Sequence, residues 1–201
     1  MIHLHVFTEE SSAGIVFNSL LPAILPESVT FSVYSHQGKE DLKKALTTTV
    51  PSLSKIPGAR ILITQDQDND DCTLVKKQLS NLLNTTCHSP FLIRVICREL
   101  ESWFLGDLSA LEAIFPRVRP EKYRGTQKFR NVDDIKKPSM MLLSIIPDYK
   151  GRTYLPKLEL SQKIAQVLKY ENNSSVSFRH VVSGIKKLIA EDFATPSTTN
   201  R

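Results

Sequence analysis

The chain has 201 residues, 41% of them hydrophobic and 23% charged, enough apolar side chain for a single buried core or a core with an appendage. Lys and Arg outnumber Asp and Glu by 26 to 21, for a formal charge of +5 and a basic isoelectric point near 9.1. No charged-then-apolar leader precedes Ile2 and no apolar run approaches the roughly 18 residues of a membrane span, so a cytoplasmic protein with no membrane partner is expected.

Ile2 to Phe7 alternates around Leu4 and Val6 and reads as a first strand, which ends in Thr8-Glu9-Glu10. Ser11 or Ser12 is the expected cap of the next helix, whose inward positions are Ala13, Val16, Phe17, Leu20, Leu21 and Ile24. Pro22 is expected to kink that helix or end its first segment. Val29 to Ser35 alternates as a second strand, and His36-Gln37-Gly38-Lys39 leads into a helix carrying Leu42, Ala45 and Leu46. Gly38 permits a tight turn, and Lys39 at a helix start is well placed to meet phosphate.

The apolar, β-branched run Ile61-Leu62-Ile63-Thr64 reads as a strand buried on both faces. It empties into Asp66, Asp68, Asp70 and Asp71, four carboxylates within six positions, just before a helix expected over Thr73 to Asn84 with Leu74, Val75, Leu79, Leu82 and Leu83 inward. Like charges this close repel, so a cation is expected to neutralise them, and oxygen-only ligands favour magnesium, manganese or calcium over zinc. The competing reading is a solvated Asp-rich turn. An EF-hand loop is excluded, because Asp71 stands where that loop needs glycine and Lys77 where it needs a bidentate glutamate.

Phe91 to Ile96 is a fourth strand feeding Arg98-Glu99-Leu100-Glu101-Ser102-Trp103-Phe104. Glu99 and Glu101 share a face if that segment is extended and stand about 200° apart if it is helical, so one of them suffices to reach the acidic edge. Trp103 reads as core. The strand-helix rhythm then stops: Asp107 caps a short helix, and further helices follow near 139–146, 160–168 and 178–189. Between Arg117 and Lys137 lie eight Lys or Arg against three acids, with Tyr123 and Phe129 interleaved. Such a segment, with Arg124, Lys128 and Arg130 at its centre, suits a polyanion, although a solvated loop has the same composition. Cys72, Cys87 and Cys97 form no C-x-x-C pair and are odd in number, which argues against a disulfide framework and a structural zinc site.

The expected class is α/β, with a mainly parallel four-stranded sheet flanked by helices over 1–107, a helical extension over 108–194 packed on it, and a disordered tail over 195–201. In such a sheet ligands bind at the carboxyl ends of the strands, where Glu9 and Asp66 both fall. The motifs Thr8-Glu9-Glu10-x-Ser12, His36-x-Gly38-Lys39-x-Asp41-Leu42, Asp66-x-Asp68-x-Asp70-Asp71-Cys72, Glu99-Leu100-Glu101-x-Trp103-Phe104-Leu105-x-Asp107, Tyr154-x-x-Lys157 and Asn173-x-Ser175-x-Ser177-Phe178 together cover nearly the whole chain.

Their order resembles the Toprim (Rossmann-like) catalytic domain of topoisomerases, primases and OLD-type nucleases. It looks closer still to a bacterial Toprim-like domain family of unknown function, often encoded beside AAA or ABC-type ATPases in phage-defence loci. The resemblance implies that Glu9, Asp66 and Asp68 hold magnesium or manganese, that Glu99 or Glu101 completes a second metal position, and that Lys157 takes part in catalysis; Asp70, from the acidic run itself, is a further candidate metal ligand. Most Toprim domains carry glycine after the glutamate; here Glu10 stands there, which leaves Glu9 and Glu10 as alternative ligands. The expected activity is metal-dependent phosphodiester hydrolysis of DNA or RNA, tRNA included, by the effector of an ATPase partner. Lys39, Arg94 and Arg98 join Arg124, Lys128 and Arg130 as expected phosphate contacts. The alternative is a non-catalytic adaptor that binds nucleic acid or the ATPase.

Overall fold

A computed structural model describes residues 1–190; the tail expected over 195–201 lies outside them. Four strands, β1 (Ile2–Thr8), β2 (Val29–Ser35), β3 (Ala59–Asp66) and β4 (Phe91–Ile96), form one sheet in the order β2-β1-β3-β4 with every pairing parallel. The α/β class is therefore as expected, and the arrangement is compatible with a Rossmann-like fold. Among the described residues no helix is long and apolar enough to cross a membrane.

Side chains alternate across the sheet, and the alternation sorts them into two cores. Phe7, Ile61, Ile63 and Ile93 face α2 (Lys39–Thr48), α3 (Val50–Leu53) and α4 (Cys72–Thr86). Leu4, Val6, Leu62 and Ile96 face the larger core, which is shared with α1 (Ser11–Ile24), α5 (Glu101–Leu105), α6 (Leu108–Ile114), α7 (Pro138–Ile145), α8 (Lys157–Ala165) and α9 (Val176–Leu188). Trp103 lies at its centre, fully buried, with its ring edge-on to Phe17 and Phe178.

Three local expectations are corrected. The cap position of α1 is Glu10 with no side-chain cap bond, and the Ser12 hydroxyl donates instead to Glu10 Oε2 at 3.1 Å. Helix α1 also runs through Pro22 to Ile24, because a proline so near the carboxyl end, exposed to solvent, forfeits little of the ladder. Leu74 is 60% exposed, since the inward face of α4 is set by Val75, Leu79 and Leu83 at four-residue spacing.

Residues 173–178 tie α9 to the start of α5. Asn173 Nδ2 donates to the Trp103 carbonyl at 2.8 Å while its Oδ1 accepts from Ser175 N at 2.9 Å. Ser175 caps α9 through Phe178 N and donates to Asp133 Oδ1. Ser177 Oγ accepts from Trp103 Nε1 at 3.1 Å and from Cys97 N at 3.2 Å, and Ser177 N donates to Asp133 Oδ2. The motif noted in the sequence thus has a positioning job: a buried network with few unmet bonds costs stability when any member is lost.

Candidate functional site: an acidic edge with two lysines

Parallel strands in register end together, and that brings Glu9, Asp66 and the segment after Ile96 to one edge. Glu9 Oε2 accepts from the backbone N–H of Asp66 at 3.1 Å, which fixes the glutamate against β3. Asp66 Oδ2 in turn accepts from Leu100 N at 3.2 Å, at the entrance to α5. Helix α5 is held there by Ser102, whose hydroxyl donates to the Cys97 carbonyl, and it buries Glu101 to 1% exposure. Glu101 Oε1 lies 3.6 Å from Lys157 Nζ, while the buried Oε2 has no hydrogen-bond partner. Lys157 begins α8 and also faces Glu10 Oε2 at 3.5 Å. Glu9, Glu10, Ser12, Asp66 and Leu100 line a narrow crevice, with no room for a water, where the ends of β1, β3 and β4 meet the start of α1.

The loops beyond the strands carry the pairing onward. Gln67 N donates to the Ile96 carbonyl at 2.9 Å and Asp68 N to the Arg98 carbonyl at 2.7 Å, while Arg98 N donates to Gln67 Oε1. Asp68 and Arg98 both have left-handed backbone, with φ of 52° and 61°. Each costs on the order of 1 kcal/mol or more for a residue with a Cβ, a cost these mutual bonds offset. On the β1 side, His36 N and Gly38 N donate to the carbonyls of Thr8 and Glu9, and the φ of 96° at Gly38 turns the chain into α2 with Lys39 as its first residue. Lys39 Nζ lies 2.8 Å from Asp68 Oδ2 and 3.0 Å from Asp70 Oδ2.

Electrostatics follow from burial. Desolvation pushes the Glu9 carboxyl up to about 6, opposed by the Asp66 N–H and Lys39. Burial, then the charges of Glu101 and Glu9, hold Asp66 well above the usual carboxylate range. Burial raises Glu101 to about 7 against the pull of Lys157. Burial disfavours the Lys157 ammonium, but Glu101, Glu10 and Asp66 together outweigh it and keep the group charged. Acids driven upward chiefly by burial, beside a lysine that its acidic neighbours keep charged, mark an edge where ionised carboxyl groups are costly.

The residues singled out in the sequence therefore divide. Glu9, Asp66, Glu101 and Lys157 come together, with Glu10 at the rim. Asp68 and Asp70 are held by Lys39, and Asp71 caps α4 by accepting from Thr73 N and Leu74 N. Glu99 Oε2 accepts from Ser139 N at the start of α7, and Glu99 shares a shallow cleft with Asp68, Asn69, Lys136 and Lys137. Arg98 stays at the edge through Nη1 to the Asp68 carbonyl. Arg94 lies in a groove under α9, where it donates to the His180 carbonyl and Gly184 leaves it room, so it does not line the cleft of Glu9 and Asp66. Arg124 bonds the Ser109 hydroxyl, and Lys128 and Arg130 are exposed. Tyr123 and Phe129 pack on each other at 5.3 Å between ring centres and on the main core, where both are half-buried. Lys39 and Lys157 are expected at the site as phosphate contact and catalytic residue, but not their pairing with the carboxylates, because ion pairs between residues about thirty and more than fifty positions apart leave no local pattern.

Among the described residues no group of three His, Cys, Asp or Glu side chains is arranged to hold a metal ion as it stands. Compared with family models, curated proteins and solved structures, the chain gives no match. The basic segment is tested directly: if it tracks a nucleic-acid backbone, changing Arg124, Lys128 and Arg130 together to serine is expected to flatten log affinity against log salt by roughly 2 to 3 units, at about 0.7 to 0.9 per phosphate contact. An unchanged slope would make it an ordinary solvated loop.

Proposed function

We propose that the acidic edge is a hard-cation centre of a phosphodiesterase acting on DNA or RNA, in a Toprim-like domain that serves as effector to an ATPase partner. The observation that carries this reading is the buried, unpartnered Oε2 of Glu101 beside Asp66. A carboxylate oxygen facing no donor in a site of three raised acids is a large standing cost, and a divalent ion relieves it. Glu9, Asp66 and Glu101 offer only oxygen, the donor set that magnesium or manganese takes. Bound there, such an ion supplies charge neutralisation at a phosphoryl group and activation of water. Lys157 stays protonated between Glu101 and Glu10 and is placed to receive a phosphate oxygen as a point charge. Lys39 and Arg98 extend positive charge along the same edge. The motif order set out above supports the Toprim assignment and the ATPase partner.

A second reading, a non-catalytic adaptor, is favoured by the spread of the carboxylates and by the lysines already paired with them. Incubating the protein, alone and with its co-expressed chromosomal neighbour, with labelled DNA and tRNA in magnesium or manganese separates the two. Ion-dependent cleavage is the expected result. Binding to the neighbour without cleavage of either substrate would establish the adaptor, and no complex in pull-down or size-exclusion runs would remove the ATPase.

A further inference from the structure

We propose that the groove between the end of β4 and the exposed side of α9 is a track for one polynucleotide strand, leading its phosphates to the acidic edge. This rests on the function proposed above and adds the surface that holds the substrate beside the cation centre.

The groove has a volume of about 700 Å3, with Arg94 and Arg98 on one wall and His180, Ser183 and Lys187 on the other. It begins at the acidic edge, since Gln67 and Arg98, which bond each other where the loops after β3 and β4 meet, both line it. Among the described residues none of Arg94, Arg98 and Lys187 is ion-paired to a carboxylate, unlike Lys39 and Lys157, whose charges are already met by acids. Arg94 is half-buried and fixed in place: Nε donates to the His180 carbonyl at 3.1 Å and Nη1 to the Ile93 carbonyl at 3.3 Å. Its Nη2 rests against Gly184, where a Cβ would stand 2.6 Å away. Glycine inside a helix costs stability relative to alanine; here it leaves room for a guanidinium that is ordered before any ligand arrives. A cation held in this way loses less freedom on meeting a phosphate than a loose surface lysine does.

Two acids also lie in the groove. Both oxygens of Asp133 accept from Ser175 and Ser177 at the amino end of α9, whose dipole offsets the charge, whereas Asp134 is exposed. Three unpaired cations against one free carboxylate leave an excess that suits phosphate. A simple anion does not account for Asn131, which lines the same groove and whose buried Oδ1 accepts no hydrogen bond. That oxygen requires a donor, so the ligand carries N–H or O–H groups as well as anionic ones. A nucleotide strand has both, and without a complement its base and sugar donors are free to enter a groove. The exposed imidazole of His180 offers a face on which a base stacks.

The test measures binding of a short labelled single-stranded RNA, and of the DNA of the same sequence, to the full chain by fluorescence anisotropy in chelator over a range of salt. Arg98→Asn, a residue that tolerates the left-handed backbone there, combined with Lys187→Ser is expected to flatten log affinity against log salt by about 1.4, at about 0.7 per single-strand phosphate contact. Lys44→Ser with Lys186→Ser removes the same charge outside the groove and is expected to leave the slope unchanged. Asn131→Ala is expected to weaken binding about fivefold, as for the loss of one hydrogen bond, on both strands if a base fills the place and on RNA alone if a ribose hydroxyl does. Ser183→Glu, at an exposed position of the groove wall, is expected to weaken binding and Asp134→Asn to strengthen it, and these two decide the matter if the Arg98 variant loses its fold. No binding by the parent, equal slopes for the parent and the groove pair, equal flattening by the two pairs, or an affinity indifferent to Asn131→Ala or Ser183→Glu would overturn the proposal. With divalent ions chelated the result reads the groove apart from the cation centre, whose failure is seen separately in the magnesium-dependent cleavage assay.

Discussion

Asp66→Asn is expected to abolish divalent-ion binding and cleavage together, and to leave thermal stability unchanged or raised. The loss of activity should exceed the roughly 10- to 100-fold that removal of an outer-shell partner costs at metal sites. The stability sign comes from local bonding. The amide oxygen that the substitution introduces can still accept from Leu100 N, as Asp66 Oδ2 does, while the new NH2 offers a donor in a place where Glu101 Oε2 has none. A new bond to a charged acceptor is worth about 1 to 3 kcal/mol, and one of the repelling charges is gone. Magnesium titration calorimetry and thermal melts measure both. An unfolded variant would make Asp66 a structural residue, and a variant that binds magnesium and cleaves normally would remove it from the centre.

The second large effect is a dependence of stability on pH that magnesium reverses. Glu9 and Glu101 have an ordinary value of 4.5 and are raised in the fold to about 6 and about 7, and Asp66 is also held well above its ordinary value. The folded state therefore binds more protons than the unfolded chain, and stability falls as pH rises. The contribution is complete below about 4.5 and is lost as pH rises through 7. For Glu101, almost fully buried, the change is on the order of 3 kcal/mol. Urea unfolding from about pH 5 to about pH 8 in chelator is expected to show the decline, and saturating magnesium at the upper end to recover it, since a ligand of the folded state alone stabilises by mass action. Stability that rises across this window would mean that the carboxyl groups are satisfied without an ion.

Much of the fold was legible because its signals are local. Ile61-Leu62-Ile63 marks a two-faced strand, and the strand-end rule then puts Glu9 beside Asp66, as the bond between them bears out. What was hidden depends on geometry that spacing does not encode. Glu99 and Glu101 are equivalent candidates until α5 begins at Glu101, burying it and leaving Glu99 to Ser139. The run of aspartates suggests one cluster, whereas the turn after Gln67 divides it into Asp66 inward, Asp68 and Asp70 toward Lys39, and Asp71 at a helix cap. Leu74 matches a helical stripe and still faces outward, because it and the adjacent Val75 cannot both point at the sheet.

The ties between residues 173–178 and the start of α5 bear on how the protein comes into being. Trp103 and Cys97 flank Glu101 in sequence, and both are bonded by Ser177, which follows them by 74 and 80 positions. A nascent chain that has reached α7 already carries every acidic residue of the edge, but lacks the partner that orients their last member. Synthesis runs from the amino end and domains fold as units, so the bonds from Ser177 that hold α5 at the acidic edge form only once α9 has emerged. Helix α9 thereby acts as a check on completeness: a chain cut short before it keeps the carboxylates and lacks the Ser177 bonds that hold Cys97 and Trp103 on either side of Glu101.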